Sequence, residues 1–259
     1  MINVIIPAYN CCSTLGRTLS SLVAQTDANF EVIIVDDCST VDIKPIVDDY
    51  MSKLNIIYIR NEQNIGCGMT RQVGIDNATQ KFITFLDSDD MFMPYTVETF
   101  NSIIKTNPDT EYLHSYFYEQ ISINNCPAIF LWKDNYTACH GKLYNVELIK
   151  KYGICNSPLV KWADDSFFNS MCSELMNMSV IGIPTVLWTN NKNSITRRND
   201  IERDSAIKED FLNAMLLSAE FVIKQKGRID HLQNTIEDII KQVSLNEKET
   251  EKLNTLLTY

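Results

Sequence analysis

The stretch FITFLDSDD, residues 82–90, runs five residues suited to a buried strand into three carboxylates within four positions. Carboxylates are costly to bury and repel one another at close range, so such a cluster implies open solvent or something bound to it. The same punctuation recurs through residues 1–110. NVIIPAY near the start, FEVIIVDD at 30–37 and NIIYIR at 55–60 are short apolar runs, and the second again closes on paired aspartates. Between them apolar residues return at helical spacing. Leu15, Leu19, Leu22 and Val23 follow a capping Ser13; Ile43, Ile46, Val47, Tyr50, Met51 and Leu54 surround a first-turn Pro45; a third helix is expected from about Met69 to Ala78. Strands apolar on both faces, alternating with helices, predict an α/β fold with a mostly parallel sheet flanked by helices. Such sheets bind ligands outside the carboxyl ends of their strands. Asp36–Asp37 and Asp87–Asp90 both fall at that edge, so it is the expected binding rim.

From 111 to 145 the pattern loosens. EYLHSYFYEQISI and PAIFLW read as strands, antiparallel across an NNCP turn, and VELIKKYG as a short helix stopped by Gly153. DDSFFNSMCSELMN is a helix with two aspartates in its first turn, SVIGIPTVLW a further strand, and TNNKNSITRRND a polar loop. Beyond Ser205 the sequence reads as helix, interrupted near Gly227. The expected division is residues 1–204 as the main domain (1–110 a nucleotide-binding half, 111–204 an acceptor half) and 205–259 as a helical extension.

With 45% hydrophobic and 22% charged residues the chain is of ordinary globular composition. No apolar run approaches the roughly 20 residues of a membrane span, and Met1 leads straight into a strand without a basic leader. A cytoplasmic location is expected, with peripheral membrane contact left open. The net charge of −10 disfavours a broad nucleic-acid or anionic-lipid surface. Eight scattered cysteines without a CxxC pair suggest reduced thiols, and three histidines at 114, 140 and 231 lack zinc-finger spacing.

Hard divalent cations take oxygen ligands, commonly one or two carboxylates plus substrate phosphates. Asp87 and Asp89, spaced D-x-D at a strand end, suit that role; a solvated acidic turn is the plain alternative. Asp164 and Asp165 open a helix, where a carboxylate can simply cap. Successive helical residues point apart, so one can cap while the other faces a cleft as a general base.

Taken in order, VIIPAYN, VDDCST, the Arg71 of MTRQVGI, FLDSDD, HGKLY, ADDSFF and NSITR resemble glycosyltransferase family 2, from about residue 2 to residue 198. That resemblance implies an inverting hexosyltransferase of the GT-A fold, using a nucleotide-sugar donor and Mn2+ or Mg2+. By position it assigns Pro7, Ala8, Tyr9 and Asn10 to the nucleotide base and ribose and Asp37 to the base imide, with Arg71 beside it. Asp87 and Ser88 fall near the ribose and metal waters, and Asp89 matches the metal ligand. Asp165 falls at the catalytic base, while Asp164 stands where Glu is common and leaves the choice between the two open. Arg197 and Arg198 follow NSIT, where a loop covers the pyrophosphate. Read from the residues themselves, His140 is either structural or in touch with donor or acceptor, and Trp132 and Trp162 either fill the core or stack on a sugar.

Asp165 is thus expected to deprotonate an acceptor hydroxyl for attack opposite the nucleotide. A UDP-sugar is the expected donor; a glycan, lipid-linked sugar, protein or nucleic acid are acceptors left open, as is a homo-oligomer built through the C-terminal helices. The alternatives are a nucleotidyltransferase, disfavoured because PAYNCCSTLG holds neither Lys nor Arg and a single Gly, and a catalytically silent sugar-nucleotide-binding module.

Overall fold

In the computed structural model, residues 1–123, 126–132, 138–189 and 201–226 are described. Every residue of the first strand, β1 (Ile2–Ala8), is buried. Its side chains alternate between two apolar clusters. Ile5 packs with Ile33, Ile83 and Phe85 on one face, while Ile2, Val4 and Ile6 pack with Val32, Ile34 and Phe82 on the other. This two-sided burial explains why these strands read as continuous apolar runs.

β2 (Phe30–Asp36), β3 (Ile56–Arg60) and β4 (Phe82–Phe85) run parallel to β1 or to each other, in the order β3-β2-β1-β4. The chain moves outward from β1 to β3 and then returns to its other side at β4, so the strand order reverses between β1 and β4. A crevice opens at the carboxyl ends of strands flanking such a reversal. Beyond β4 the sheet turns mixed. β8 (Lys142–Asn145) runs antiparallel to β4, and β6 (Tyr112–Ile123) antiparallel to β8. β9 (Met178–Trp188) lies parallel to β6 and pairs antiparallel with the two-residue β5 (Met91–Phe92). β7 (Cys126–Trp132) pairs antiparallel with β6, as expected for that hairpin; residues 124–125 of its turn lie outside the described residues.

Helices α1 (Leu15–Val23), α2 (Lys44–Asp48) and α4 (Thr96–Thr106) cover one face, and α3 (Cys67–Asp76), α5 (Val146–Tyr152), α6 (Asp164–Leu175) and α7 (Ile201–Lys226) the other. α5 begins on Asn145, whose side chain accepts from Glu147 N and Leu148 N, and ends as expected at Gly153 in the left-handed conformation (φ 67°). α7 inserts Met215, Ala219 and Val222 into the cluster that holds Phe168 and Met171 of α6.

Local expectations fail at the first two helices. Ser13 makes no cap; Thr14 precedes α1 and its hydroxyl donates to Cys11 O at 3.2 Å. Val23 is exposed, whereas Leu15, Leu19 and Leu22 are buried. The second helix stops at Asp48; Tyr50, Met51 and Lys53 continue with i→i−3 bonds, and a single i→i−4 bond from Leu54 N to Tyr50 O keeps Leu54 in the core. α3 falls where expected, within two residues at each end. Among the described residues no helix is long and apolar enough to cross a membrane.

Candidate active site

Arg71 organises the carboxyl edge between β1 and β4. It projects from α3, and its guanidinium lies 5.9 Å from the Phe85 ring. One terminal nitrogen donates to Asp165 Oδ1 at 2.6 Å and to Asp164 Oδ2; the other donates to Asp87 Oδ1 at 2.7 Å. Three carboxylates from two distant segments thus meet on one buried cation. The approach of α3 to α6 that permits this depends on Gly68, where a Cβ would lie 2.7 Å from Asp164 Cβ.

Asp165 Oδ2 also accepts from Cys139 N at 3.1 Å. That amide is presented by the 138–141 turn, whose Ala138 carbonyl accepts from the buried Lys142 ammonium at the start of β8. Burial lowers the Lys142 pKa to about 8. The two aspartates at the start of α6 differ in environment. Burial raises Asp164 to about 7, and the neighbouring Asp165 and Asp87 charges add to that, against the pull of Arg71. Burial acts on Asp165 in the same sense, but Arg71 and the Cys139 amide outweigh it and hold this carboxyl below the usual range. The Asp165 side chain is also the more open, 27% exposed against 11% for Asp164. Neither caps α6 through its side chain, since the residue before the helix is Ala163.

The acidic loop after β4 is pinned from outside. Arg17 of α1 donates to Asp89 O at 2.7 Å and to Thr189 Oγ1 at 2.8 Å; Thr189 in turn donates its amide to Asp90 Oδ1 at 2.8 Å and its hydroxyl to Asp89 O. Ser88 contacts the Cys11 thiol, which burial raises to about 11. Asp87, Asp90 and His140 each offer a ligand atom, all within 4.8 Å of one another. The Nε2 of His140 and the Oδ2 of Asp90 are buried without a hydrogen-bond partner, and burial lowers His140 to about 4, leaving its imidazole neutral near pH 7. Two carboxylates, a neutral imidazole and orphaned buried atoms fit a divalent cation.

Residues 7–10, 36–40 and 60–66 form the adjoining part of the rim. Pro7 and Ala8 end β1, and Ala8 O accepts from Asp37 N at 2.8 Å. Asn10, at φ 51°, accepts from Thr40 N at 2.8 Å, and its own amide donates to Ser39 Oγ at 3.0 Å. Tyr9 stands 47% exposed beside them. Asp37 is buried and accepts from Asn61 Nδ2, Ile65 N and Gly66 N, each at 2.9 Å, beside a groove lined by Asn61, Glu62, Gln63 and Ile65. Asp36 turns the other way, into Ser39 N, Tyr58 and Arg60, whose hydrogen bonds outweigh its burial and keep its pKa low.

His140 stacks on Trp188 at 5.5 Å and meets Phe117 edge-on at 4.5 Å. Trp162 is 42% exposed ahead of Asp164. Arg197 and Arg198 lie outside the described residues, as does the side chain of Trp132. Two participants were not singled out from sequence. Asp90 belonged to the acidic run, but nothing separated it from its neighbours. Asp210 of α7 accepts from Lys161 N, Trp162 N and Ala163 N at 2.6–3.1 Å, clamping the strand of backbone that leads into Asp164. Its backbone partners leave no side-chain signature.

The chain is similar in sequence and in fold to known glycosyltransferases. Residues 3–153 match the model of glycosyl transferase family 2. An uncharacterized glycosyltransferase of Haemophilus influenzae is 38% identical over 114 residues, 44% of this chain and 38% of that protein. The poly(ribitol-phosphate) beta-N-acetylglucosaminyltransferase TarS of Staphylococcus aureus is 30% identical over 184 residues, 64% of this chain and 31% of TarS. The matches therefore span well under half the length of these two relatives. The crystal structure of S. aureus TarS 1-349 in complex with UDP-GlcNAc superposes with a TM-score of 0.76 at 22% identity, covering 99% of this chain and 79% of that one. Mannosyltransferase PcManGT from Pyrobaculum calidifontis, in complex with GDP-Man and Mn2+, gives 0.62 at 16% identity, over 99% and 73% of the two chains. These likenesses establish the GT-A fold. Since the family model spans more than half of its 259 residues, the chain belongs to glycosyl transferase family 2.

Proposed function

We propose that this protein is an inverting glycosyltransferase that moves a sugar from a nucleotide-diphosphate sugar to an acceptor hydroxyl. The observation that carries this is the meeting of Asp87, Asp164 and Asp165 on Arg71 at the carboxyl edge where the strand order reverses. Residues 7–10 and Asp37 hold the nucleoside, and Asp87, Ser88 and Asp89 face the diphosphate. Mn2+ or Mg2+ held by the acidic loop supplies Lewis-acid charge to the leaving diphosphate. Arg197 and Arg198 are assigned to the pyrophosphate side.

Asp165 acts as general base. It takes the proton of the acceptor hydroxyl as that oxygen bonds to the anomeric carbon, and the bond from that carbon to the nucleotide diphosphate breaks on the opposite face. A pKa near 7 would favour Asp164 for this task, but reach decides before basicity, and Asp165 is the more open carboxylate. The raised Asp164 and lowered Asp165 then divide the pair into a partner that is about half protonated near pH 7 and an ionised one, a pattern that marks acid–base roles.

UDP-GlcNAc is the first donor to test, because the TarS structure carries it, and a polyol-phosphate polymer is the first acceptor, from the TarS name. Incubation with UDP-GlcNAc, UDP-glucose or UDP-galactose and Mn2+ is expected to release UDP. Release of pyrophosphate from a nucleoside triphosphate would instead indicate a nucleotidyltransferase, and binding without any turnover a silent module.

A further inference from the structure

Asp90 and His140 are buried beside the proposed diphosphate site, each with an unused ligand atom. Asp90 is 1% exposed; Thr189 N serves its Oδ1, and its Oδ2 has no hydrogen-bond partner. His140 is 8% exposed, and its Nε2 has none either. Trp188 and Phe117 grip the imidazole ring, so it cannot swing out to water without breaking both contacts. A buried carboxylate oxygen and a buried imidazole nitrogen without partners are costly unless something joins them. The third group within 4.8 Å is Asp87, which already shares Arg71.

We propose that Asp87, Asp90 and His140 form a mixed oxygen–nitrogen site for a divalent transition-metal cation, with imidazole nitrogen as the ligand that discriminates against Mg2+. Metal–ligand bonds of about 2.0–2.2 Å put neighbouring ligand atoms about 3–3.5 Å apart, so the three atoms, within 4.8 Å of one another here, close on an ion by side-chain shifts of up to about 1–2 Å. An all-oxygen site at Asp87 and Asp89 would suit Mg2+ and Mn2+ alike, whereas one imidazole ligand shifts preference towards Co2+ and Zn2+ along the Irving–Williams order. The site deepens the metal dependence of the transferase proposed above, and its test reads binding alone.

The experiment loads the full, untagged chain with Mn2+ alone and records pulsed electron paramagnetic resonance. Coupling to one imidazole 14N is expected, and it should vanish in His140→Gln. By titration, Asp90→Asn and His140→Gln should each weaken Mn2+ binding by at least about tenfold, the low end of losses seen even for groups outside the ligand shell. The Co2+-to-Mg2+ affinity ratio should fall by a similar factor in His140→Gln. Absence of 14N coupling in the wild type overturns the site, as does coupling that persists in His140→Gln or affinity indifferent to Asp90→Asn. Should His140→Gln fail to fold, the wild-type spectrum and Asp90→Asn still decide. Donor cleavage with Mn2+ but without 14N coupling sinks this site and spares the transferase; coupling without cleavage of any donor does the reverse.

Discussion

Replacing Arg71 with Met tests whether the guanidinium holds the edge together. The substitution keeps an unbranched apolar stem over Phe85 but removes the cation from three carboxylates. Asp164, at 11% side-chain exposure, cannot recover its partner from solvent, and stripping one member from a buried pair costs about 3–5 kcal/mol. Asp87 and Asp165 are 33% and 27% exposed, so water replaces most of their loss and each adds only the ~0–1 kcal/mol of a surface pair. A total of about 3–7 kcal/mol lowers Tm by roughly 6–28 °C in a domain of this size. The deficit should depend on pH. Asp165 has a lowered folded pKa, so its stabilising share is present above the unfolded value of about 3.9 and is lost as pH falls through the lower folded one. Without Arg71 the folded carboxyls protonate at higher pH and no longer need a cation. Urea unfolding followed by circular dichroism should therefore show the largest deficit at pH 8 and a much smaller one near pH 4. A variant as stable as the wild type at pH 8, or a deficit flat with pH, would refute the reasoning.

Asp164, with a folded pKa raised to about 7, favours the folded state less as pH rises from about 4 to about 7. The stability of the wild type minus that of Asp164→Asn should decline across that window and level off above it; a flat difference in denaturant titrations contradicts the raised pKa. Gly68→Ala sets a methyl against Asp164 Cβ and should cost about 1–3 kcal/mol while weakening nucleotide-sugar turnover, since α3 must back away from α6. Normal stability and turnover together would show that the helices have room. Asp210→Ala strips one carboxylate from three backbone amides ahead of the aspartate pair. Donor binding, measured as the Kd of UDP-GlcNAc, should hold while kcat falls; Asp210→Glu should restore part of it, and an equal loss in Kd would make the residue a general brace instead.

The strand-and-rim plan was legible because its signals are local: apolar runs long enough to bury both faces, two of them stopped by carboxylates that the sheet must leave at its edge. Asp87, Asp164 and Asp165 could be named for the same reason. Their meeting on Arg71 could not, since 93 residues separate Arg71 from Asp164 and nothing in MTRQVGI marks the arginine as buried. β8 was hidden because its four buried residues include Lys142, a charge that reads as surface until the Ala138 carbonyl is seen to receive it. The short α2 misled through its spacing: tight i→i−3 turns, closed by an i→i−4 bond from Leu54 N to Tyr50 O, hold Leu54 in the core almost as a helix would. Asp210 looked like any polar residue of an amphipathic helix, because its role is written in backbone amides.

Asp165→Asn, assayed with Asp164 intact, puts the acid–base assignment to trial. Mn2+ and UDP binding should stay near wild-type strength, while turnover of a UDP-sugar with its acceptor drops by roughly 10²–10⁴-fold. Near-normal turnover at full donor occupancy would remove Asp165 from the chemistry and hand the role to Asp164 or to no aspartate at all.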